Sequence, residues 1–384
     1  MNRSNAPRSG LWQELLATDP YLVGAIGFLM VFGLVMVYSA SIAIAQQDTG
    51  DPAYFLLHQI ANVIVALVAG FAIVRTPLLF WKAVGPYLLL AGLALLMIVL
   101  VPGIGERVNG STRWINLRVI AVQPSEFMKM FMLVYVAGYL TRRRDELHNF
   151  VQGIVLIGLV LGVVGVLLLK EPDFGTTVVI SMTVFGMMFL AGVSLWHFLS
   201  LGVAGLGCMA LLTVISPYRL GRVSSFLHPW ANAYGSGFQL TQSLIAFGHG
   251  GLWGAGLGES VQKLFYLPDP QTDFLFSIVA EELGFIAVLA VIGMFAIIVI
   301  RAFRIAAEAE RSGDYFAARL AEGIGLLFGI QAIVNMGVDM GVLPTKGLTL
   351  PFMSYGGSST LLSVGVAALL MRIAMESRTS GAIP

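Results

Sequence analysis

Asp273 stands where an acid or a base would be useful. It lies at the mouth of a long apolar run, directly after Leu267-Pro268-Asp269-Pro270-Gln271-Thr272. A carboxylate there can take a proton, hold a cation or cap a helix. Pro270 is placed to end the preceding loop and Thr272 to cap the helix. Asp273 as a capping carboxylate, stabilised by the helix dipole, is the plain alternative to catalysis. Glu281 and Glu282 follow about two turns deeper. One of them could face a polar interior, or make a helix-packing hydrogen bond. Glu126 and Lys129 are spaced i,i+3, which suits an ion pair on one helix face. A lysine inside a span should also seek a carboxylate, and Asp273 enters from the same side. Asp173 and Asp339, with Lys170 and Glu171, add charge on that side, for which solvation at helix ends is the simpler reading. Walker A, His-Glu-x-x-His and Cys/His metal patterns are absent, and His58, His148, His197, His228 and His249 are scattered. Asn109-Gly110-Ser111 fits a glycosylation acceptor, which matters only in a host that glycosylates this compartment.

The elements that must position these groups are membrane spans. Of 384 residues, 57% are hydrophobic and 11% charged, against roughly 25% charged in a soluble domain. The mean hydropathy is +0.85. Apolar runs near 20 residues recur, each able to cross a bilayer core of about 30 Å. They are continuous rather than alternating, which predicts an all-α polytopic membrane protein and not a barrel. The spans fall at about 21–43, 54–74, 82–102, 124–141, 151–169, 175–195, 197–216, 272–300, 319–339 and 349–373. That makes a tail at 1–20, one transmembrane domain at 21–373 and a tail at 374–384. The first run is too long for a cleavable signal. A net charge of +1 gives no case for nucleic acid, and the single Cys208 excludes an internal disulfide.

Basic residues set the orientation. With both termini cytoplasmic, Arg3, Arg8, Arg75, Lys82, Arg142, Arg143, Arg144, Arg301, Arg304, Arg311, Arg319, Arg372 and Arg378 lie inside, 13 of the 22. The other nine, Arg107, Arg113, Arg118, Lys129, Lys170, Arg219, Arg222, Lys263 and Lys346, lie outside or near outer ends, a surface suited to an anionic ligand such as a phosphate. Two outer segments are unlike plain turns. The first is 103–124, and the second is the long connection 217–271, whose glycines and apolar stretches read as re-entrant or interfacial half-helices.

Six stretches occur in order along these spans: Gly110-Ser111-Thr112-Arg113-Trp114-Ile115, Gln123-Pro124-Ser125-Glu126, Glu171-Pro172-Asp173-Phe174-Gly175-Thr176, Thr272-Asp273-Phe274, Ala280-Glu281-Glu282-Leu283-Gly284 and Ser354-Tyr355-Gly356-Gly357-Ser358. In them the chain resembles the SEDS family (shape, elongation, division, sporulation) over nearly its whole length. Pro344 to Pro351, Gly235 to Ser243, and Gln262-Lys263-Leu264 before Tyr266-Leu267-Pro268 are more similar to the division branch than to the elongation branch. Two positions depart from the family pattern. Gln271 stands where a histidine often precedes Thr-Asp-Phe, and Ala121 where a basic residue is common, with Arg118 nearby.

The resemblance implies a peptidoglycan glycosyltransferase acting on lipid II at the division septum of the bacterial inner membrane. It also implies a partner transpeptidase, a class B penicillin-binding protein, and other divisome proteins. Asp273 matches the essential acidic position, Lys129 a lysine that can pair with it, and Arg113 and Trp114 an outer-face motif. Gln123, Glu126, Ser243 and Glu282 fall in matching stretches as supporting residues. The chemistry is one displacement at an α-linked donor sugar that leaves a β-linked glycan, with Asp273 as candidate base. Arg113, Arg222 and Lys346 are candidate phosphate contacts, and a divalent cation, Mg²⁺ or Mn²⁺, could assist, with Asp273 as its ligand. A lipid II flippase and a non-catalytic divisome scaffold are the competing readings.

Overall fold

Each apolar run becomes a helix because lipid offers the backbone no hydrogen-bond partner, so every N–H must be satisfied within its own segment. The structure, a computed structural model, describes residues 19–381 apart from 109–110, 117–120, 216 and 345–346. Twelve helices are used below: α1 Pro20–Thr49, α2 Tyr54–Arg75, α3 Leu78–Val99, α4 Pro124–Arg142, α5 Leu156–Lys170, α6 Phe174–Leu190, α7 Leu195–Ile215, α8 Pro217–Leu227, α9 Phe238–Gly250, α10 Leu275–Arg311, α11 Tyr315–Asp339 and α12 Gly357–Gly381. Among the described residues, α1, α2, α3, α10, α11 and α12 are long and apolar enough to cross a membrane, and α5 and α6 are shorter apolar helices. A π-helical turn at Val151–Val155 leads into α5.

α11 is the hub of the bundle. It packs against α10, α6, α4 and α12, and touches α9. Along its length nearly every side chain is buried, including the polar Gln331, Asn335 and Asp339. A helix apolar enough to insert, yet carrying three polar groups spaced i,i+4, needs partners on every side of that stripe.

Several boundaries differ from expectation. The last span was expected to open at 349, but α12 begins at Gly357, and 347–356 is non-helical backbone packed inside the protein. α10 runs 11 residues past the expected 300. The all-α expectation needs correction at 103–124, which holds an antiparallel sheet ordered β1-β2-β3, with β1 Gly105–Val108, β2 Ser111–Asn116 and β3 Ala121–Val122. Trp114 pairs with Glu106 in its register, and Ile115 with Val122. The long connection carries the short helices α8 and α9, followed by turns.

α10 is broken. Gly284 has φ 71° and ψ −171° within it, a backbone state that only glycine adopts at little cost. The break releases carbonyls and N–H groups that pair with the long 217–271 connection instead. Ala255 N donates to Glu281 O at 2.9 Å, Gly256 N to Glu282 O at 2.9 Å, and Phe285 N to Gly251 O at 3.0 Å. A methyl on Gly284 would sit 2.5 Å from Leu252 O.

The opposite end gathers arginines. Asp19 caps α1 through Leu22 N and receives Arg301 at 2.8 Å. Arg319 donates to Leu190 O and pairs with Glu310. Arg372 donates to Val74 O, and the Arg144 guanidinium lies 3.8 Å over the Tyr315 ring.

Candidate functional site

Neither Thr272 nor Asp273 is the N-cap of α10. That position is Phe274, which makes no side-chain capping bond. Thr272 instead donates from Oγ1 to Asp273 Oδ1 at 2.6 Å. The Asp273 carbonyl accepts from Asn335 Nδ2 at 2.9 Å. Its carboxylate is half-buried and faces Gly347: a methyl group there would approach Oδ2 to 2.9 Å. Any side chain at 347 would crowd the carboxylate, so glycine is required there for this approach.

The strand 347–349 beside it is pinned from α11. Asn335 Nδ2 also donates to Leu348 O at 2.6 Å, and Gln331 Nε2 to Thr349 O at 2.9 Å. Thr349 and Ser359 hydroxyls meet at 2.6 Å. At the next turn, Ser243 donates to Asp339 O at 2.6 Å and meets Ser277 at 2.7 Å. Ser243 thereby ties α9 to both α10 and α11, one turn after Asp273. Asp339 is wholly buried, which corrects its reading as a solvated helix end.

Lys129 has other partners than expected. Its Nζ contacts Glu126 Oε1 at 2.7 Å and Gln331 Oε1 at 3.1 Å, with only 1% of the residue exposed. The i,i+3 spacing forms the ion pair, and the supposed pairing to Asp273 is replaced by a connection through α11. Gln331 binds Lys129 and the strand, and Asn335 one turn on binds the strand and Asp273. Gln123, at the N-cap of α4, donates from its backbone N to Ser358 Oγ at 3.0 Å and from Nε2 to Ser125 Oγ at 3.0 Å.

Arg113 is committed to structure. Nε donates to Glu171 O at 3.1 Å, another N–H reaches Pro172 O, and Asp173 Oδ1 lies 4.0 Å away. It clamps the α5–α6 turn to β2 and so is not a free phosphate ligand. Asp173 caps α6 through Thr176 N, again not a solvated end. Burial, with the Asp173 charge adding to it against Arg113, pushes the Glu171 carboxyl up to about 8.

A family model whose description reads cell cycle protein, covering FtsW, RodA and SpoVE, matches residues 21–379. The chain belongs to this FtsW/RodA/SpoVE family. A relative in Nitrosococcus halophilus, named a probable peptidoglycan glycosyltransferase FtsW, is 49% identical over 378 residues, 98% of this chain and 97% of that protein. One of the same name in Methylococcus capsulatus is 51% identical over 364 residues, 94% of this chain and 91% of that one. A chain from a peptidoglycan synthase complex, described as coordinating polymerization and crosslinking, superposes with a TM-score of 0.77 at 27% identity, covering 94% of this chain and 99% of its own length. The Thermus thermophilus rod-shape-determining protein RodA does so with 0.68 at 27% identity, covering 94% and 97%.

In this FtsW/RodA/SpoVE protein, Glu281 and Glu282 lie outside the Asp273 cluster. Glu282 contacts Lys263 Nζ at 2.8 Å and accepts from Ser39 at 2.7 Å. Glu281 accepts from Ser260, from Val261 N at 3.1 Å and from Gln262 N at 3.3 Å, and it meets His249 Nδ1 at 3.0 Å. Both carboxylates bolt the 217–271 connection to α10, and Glu282 holds Lys263 and Ser39 there. Lys346 and Arg118 lie outside the described residues, as does most of the 1–20 tail. Arg222 is placed in α8, and nothing follows for its side chain.

Among the described residues no group of three or more His, Cys, Asp or Glu converges as a metal cage. The donor set still fits Mg²⁺ or Mn²⁺ in the mode of one or two carboxylates completed by water and substrate phosphates. Asp273 would supply the hard oxygens. Residues that sequence reasoning missed are Asn335, Gln331 and Ser277, neutral groups whose partners lie far along the chain.

Proposed function

We propose that this protein is a peptidoglycan glycosyltransferase that polymerises lipid II on the outer face of the bacterial inner membrane during septal wall synthesis, with Asp273 as general base. One observation carries the reading: a half-buried carboxylate, oriented by Thr272 and by its own backbone, sits against a glycine, Gly347, where any side chain would crowd it. Support comes from relatives named for this activity, which match along nearly the whole chain.

The donor sugar is α-linked to pyrophosphate and the product β-linked, so one inversion suffices. The acceptor 4-hydroxyl attacks the anomeric carbon, Asp273 takes its proton, and undecaprenyl pyrophosphate leaves. A divalent cation bound at Asp273 would neutralise charge developing on the pyrophosphate. Thr272 keeps one carboxylate oxygen fixed while the other meets the hydroxyl.

The same reading takes the ten apolar helices α1–α7 and α10–α12 as ten spans, with both termini cytoplasmic and 217–271 outside. The arginine-rich end supports that orientation. A class B penicillin-binding protein is the expected partner, since the related synthase complex is described as coupling polymerization to crosslinking.

Asp273→Asn, reconstituted with labelled lipid II, tests the base. Asn preserves the size and can still accept from Thr272, and with Phe274 at the N-cap no helix capping is lost. General-base catalysis contributes about 10²–10⁴-fold, so polymer should fall to about 1% or less with lipid II binding retained. Near-wild-type polymer would remove Asp273 from the mechanism. Translocation of lipid II without polymer by the wild type would point to a flippase, and neither activity to a scaffold.

A further inference from the structure

Asn335 holds two distant backbone segments with one amide. Its Nδ2 reaches the carbonyl of Asp273, 62 residues away, and that of Leu348, 13 residues away. Both acceptors are carbonyl oxygens, so only the NH₂ side of the amide can face them, and its orientation is fixed by chemistry. The residue is 1% exposed. The two N–H groups of this one amide therefore match its two acceptors one to one. They span the gap across which the Asp273 carboxylate faces Gly347. One turn earlier, Gln331 fixes the adjoining carbonyl of Thr349 to the same helix. The strand cannot slide along α11 while both amides hold it.

We propose that Asn335 is a positioning residue for the glycosyl transfer step: it sets the separation between the Asp273 turn and the 347–349 strand, and hence the geometry in which the base meets the acceptor hydroxyl. This rests on the reading of Asp273 as base. Asn335 does not touch the reacting atoms, and it acts through backbone carbonyls. Misplacing a reacting group by about 1 Å costs on the order of 10²-fold in rate. That cost should fall on turnover more than on binding, because Asn335 reaches the site only through the backbone carbonyls of Asp273 and Leu348.

The test is a double-mutant cycle on reconstituted full-length protein with labelled lipid II. Wild type, Asn335→Leu, Asp273→Asn and the double variant are compared in single-turnover rate at saturating substrate, in lipid II Kd and in unfolding midpoint. Asn335→Leu is similar in size and has no donor. Its rate should fall about 10²-fold with Kd within about threefold, and the double variant should be no slower than Asp273→Asn. A further loss of about 10²-fold in the double variant would mark Asn335 as a general structural residue and overturn the proposal, as would a near-wild-type rate or a weakened Kd at unchanged rate. If Asn335→Leu does not fold, Asn335→Ser, which keeps one donor, enters the same cycle, with a smaller loss that must likewise vanish in the Asp273→Asn background. Near-wild-type activity of Asp273→Asn sinks the base reading and this proposal with it, whereas multiplicative losses sink this proposal alone.

Discussion

Replacing Lys129 by Met removes a charge from the most buried ion pair near the site. The ammonium lies 2.7 Å from Glu126 Oε1 and 3.1 Å from Gln331 Oε1, and Glu126 Oε2 has no hydrogen-bond partner of its own. Lys129→Met therefore strands a carboxylate whose residue is only 4% exposed. Breaking one side of a buried pair costs about 3–5 kcal/mol. At roughly 2–4 °C per kcal/mol, the unfolding midpoint in detergent should drop on the order of 10 °C, and polymerisation should fall strongly. The informative variant is the double one, Glu126→Gln with Lys129→Met, which leaves no charge unpaired. If Lys129 works by neutralising Glu126 and steadying Gln331, the double variant should regain most of the midpoint and part of the activity. Tryptophan fluorescence melts and a lipid II polymerisation assay read both quantities. A double variant as stable as wild type yet fully inactive would refute this reasoning, because Lys129 would then act on substrate or on Asp273 itself.

Three further outcomes follow from neighbouring parts of the molecule. Glu171, held up to about 8 by burial and Asp173, keeps its proton in the folded protein while the unfolded chain loses it above about 4.5. The stabilisation present below pH 4.5 is thus lost as pH rises to about 8. Glu171→Gln should abolish that decline, with the gain in melting midpoint widest at pH 8 and above, and parallel pH curves for the two proteins would contradict it. Lys263→Met strands Glu282, whose Oε1 it meets at 2.8 Å. Cleavage of the 251–266 turns by protease should accelerate, and adding Glu282→Gln should restore protection; unchanged cleavage in the single variant would count against the anchor. Gly284→Ala, with φ 71° and Leu252 O 2.5 Å from the new methyl, should cost several kcal/mol and lower yield in the membrane, whereas a wild-type melting curve would mean that the break is tolerant.

The helices were legible because long apolar runs admit few other structures in lipid. The Glu126–Lys129 pair was legible because helix geometry fixes i,i+3 neighbours. The small sheet was harder. Ser111-Thr112-Arg113-Trp114-Ile115 carries β-branched and aromatic residues, but its partners Gly105–Val108 offer only four residues of pattern. Lys129's second contact was hidden since an amide 202 residues away announces nothing by charge. Asn335 escaped for the same reason, with both its partners backbone carbonyls. The capping expectation for Asp273 failed because Thr272 binds the carboxylate sideways and the helix starts two residues later. Glu281 and Glu282 read as candidates for chemistry because the loop residues that consume them, Ser260 to Lys263, lie 19 to 21 residues away in sequence.

The two parts of the 217–271 connection differ as places to carry foreign sequence. Between the 3₁₀ turn Pro229–Asn232 and α9, Tyr234 is 97% exposed, and among the described residues no α10 backbone bond reaches it. An epitope or fluorophore inserted there would ride on the surface. The stretch from Gly251 to Gly256 is stitched to the opened backbone of α10 at 281, 282 and 285. Any graft in that stretch would pry apart the helix whose first turn follows Asp273, so a labelled version of this protein for imaging in cells should carry its tag at 234 and leave 251–263 untouched.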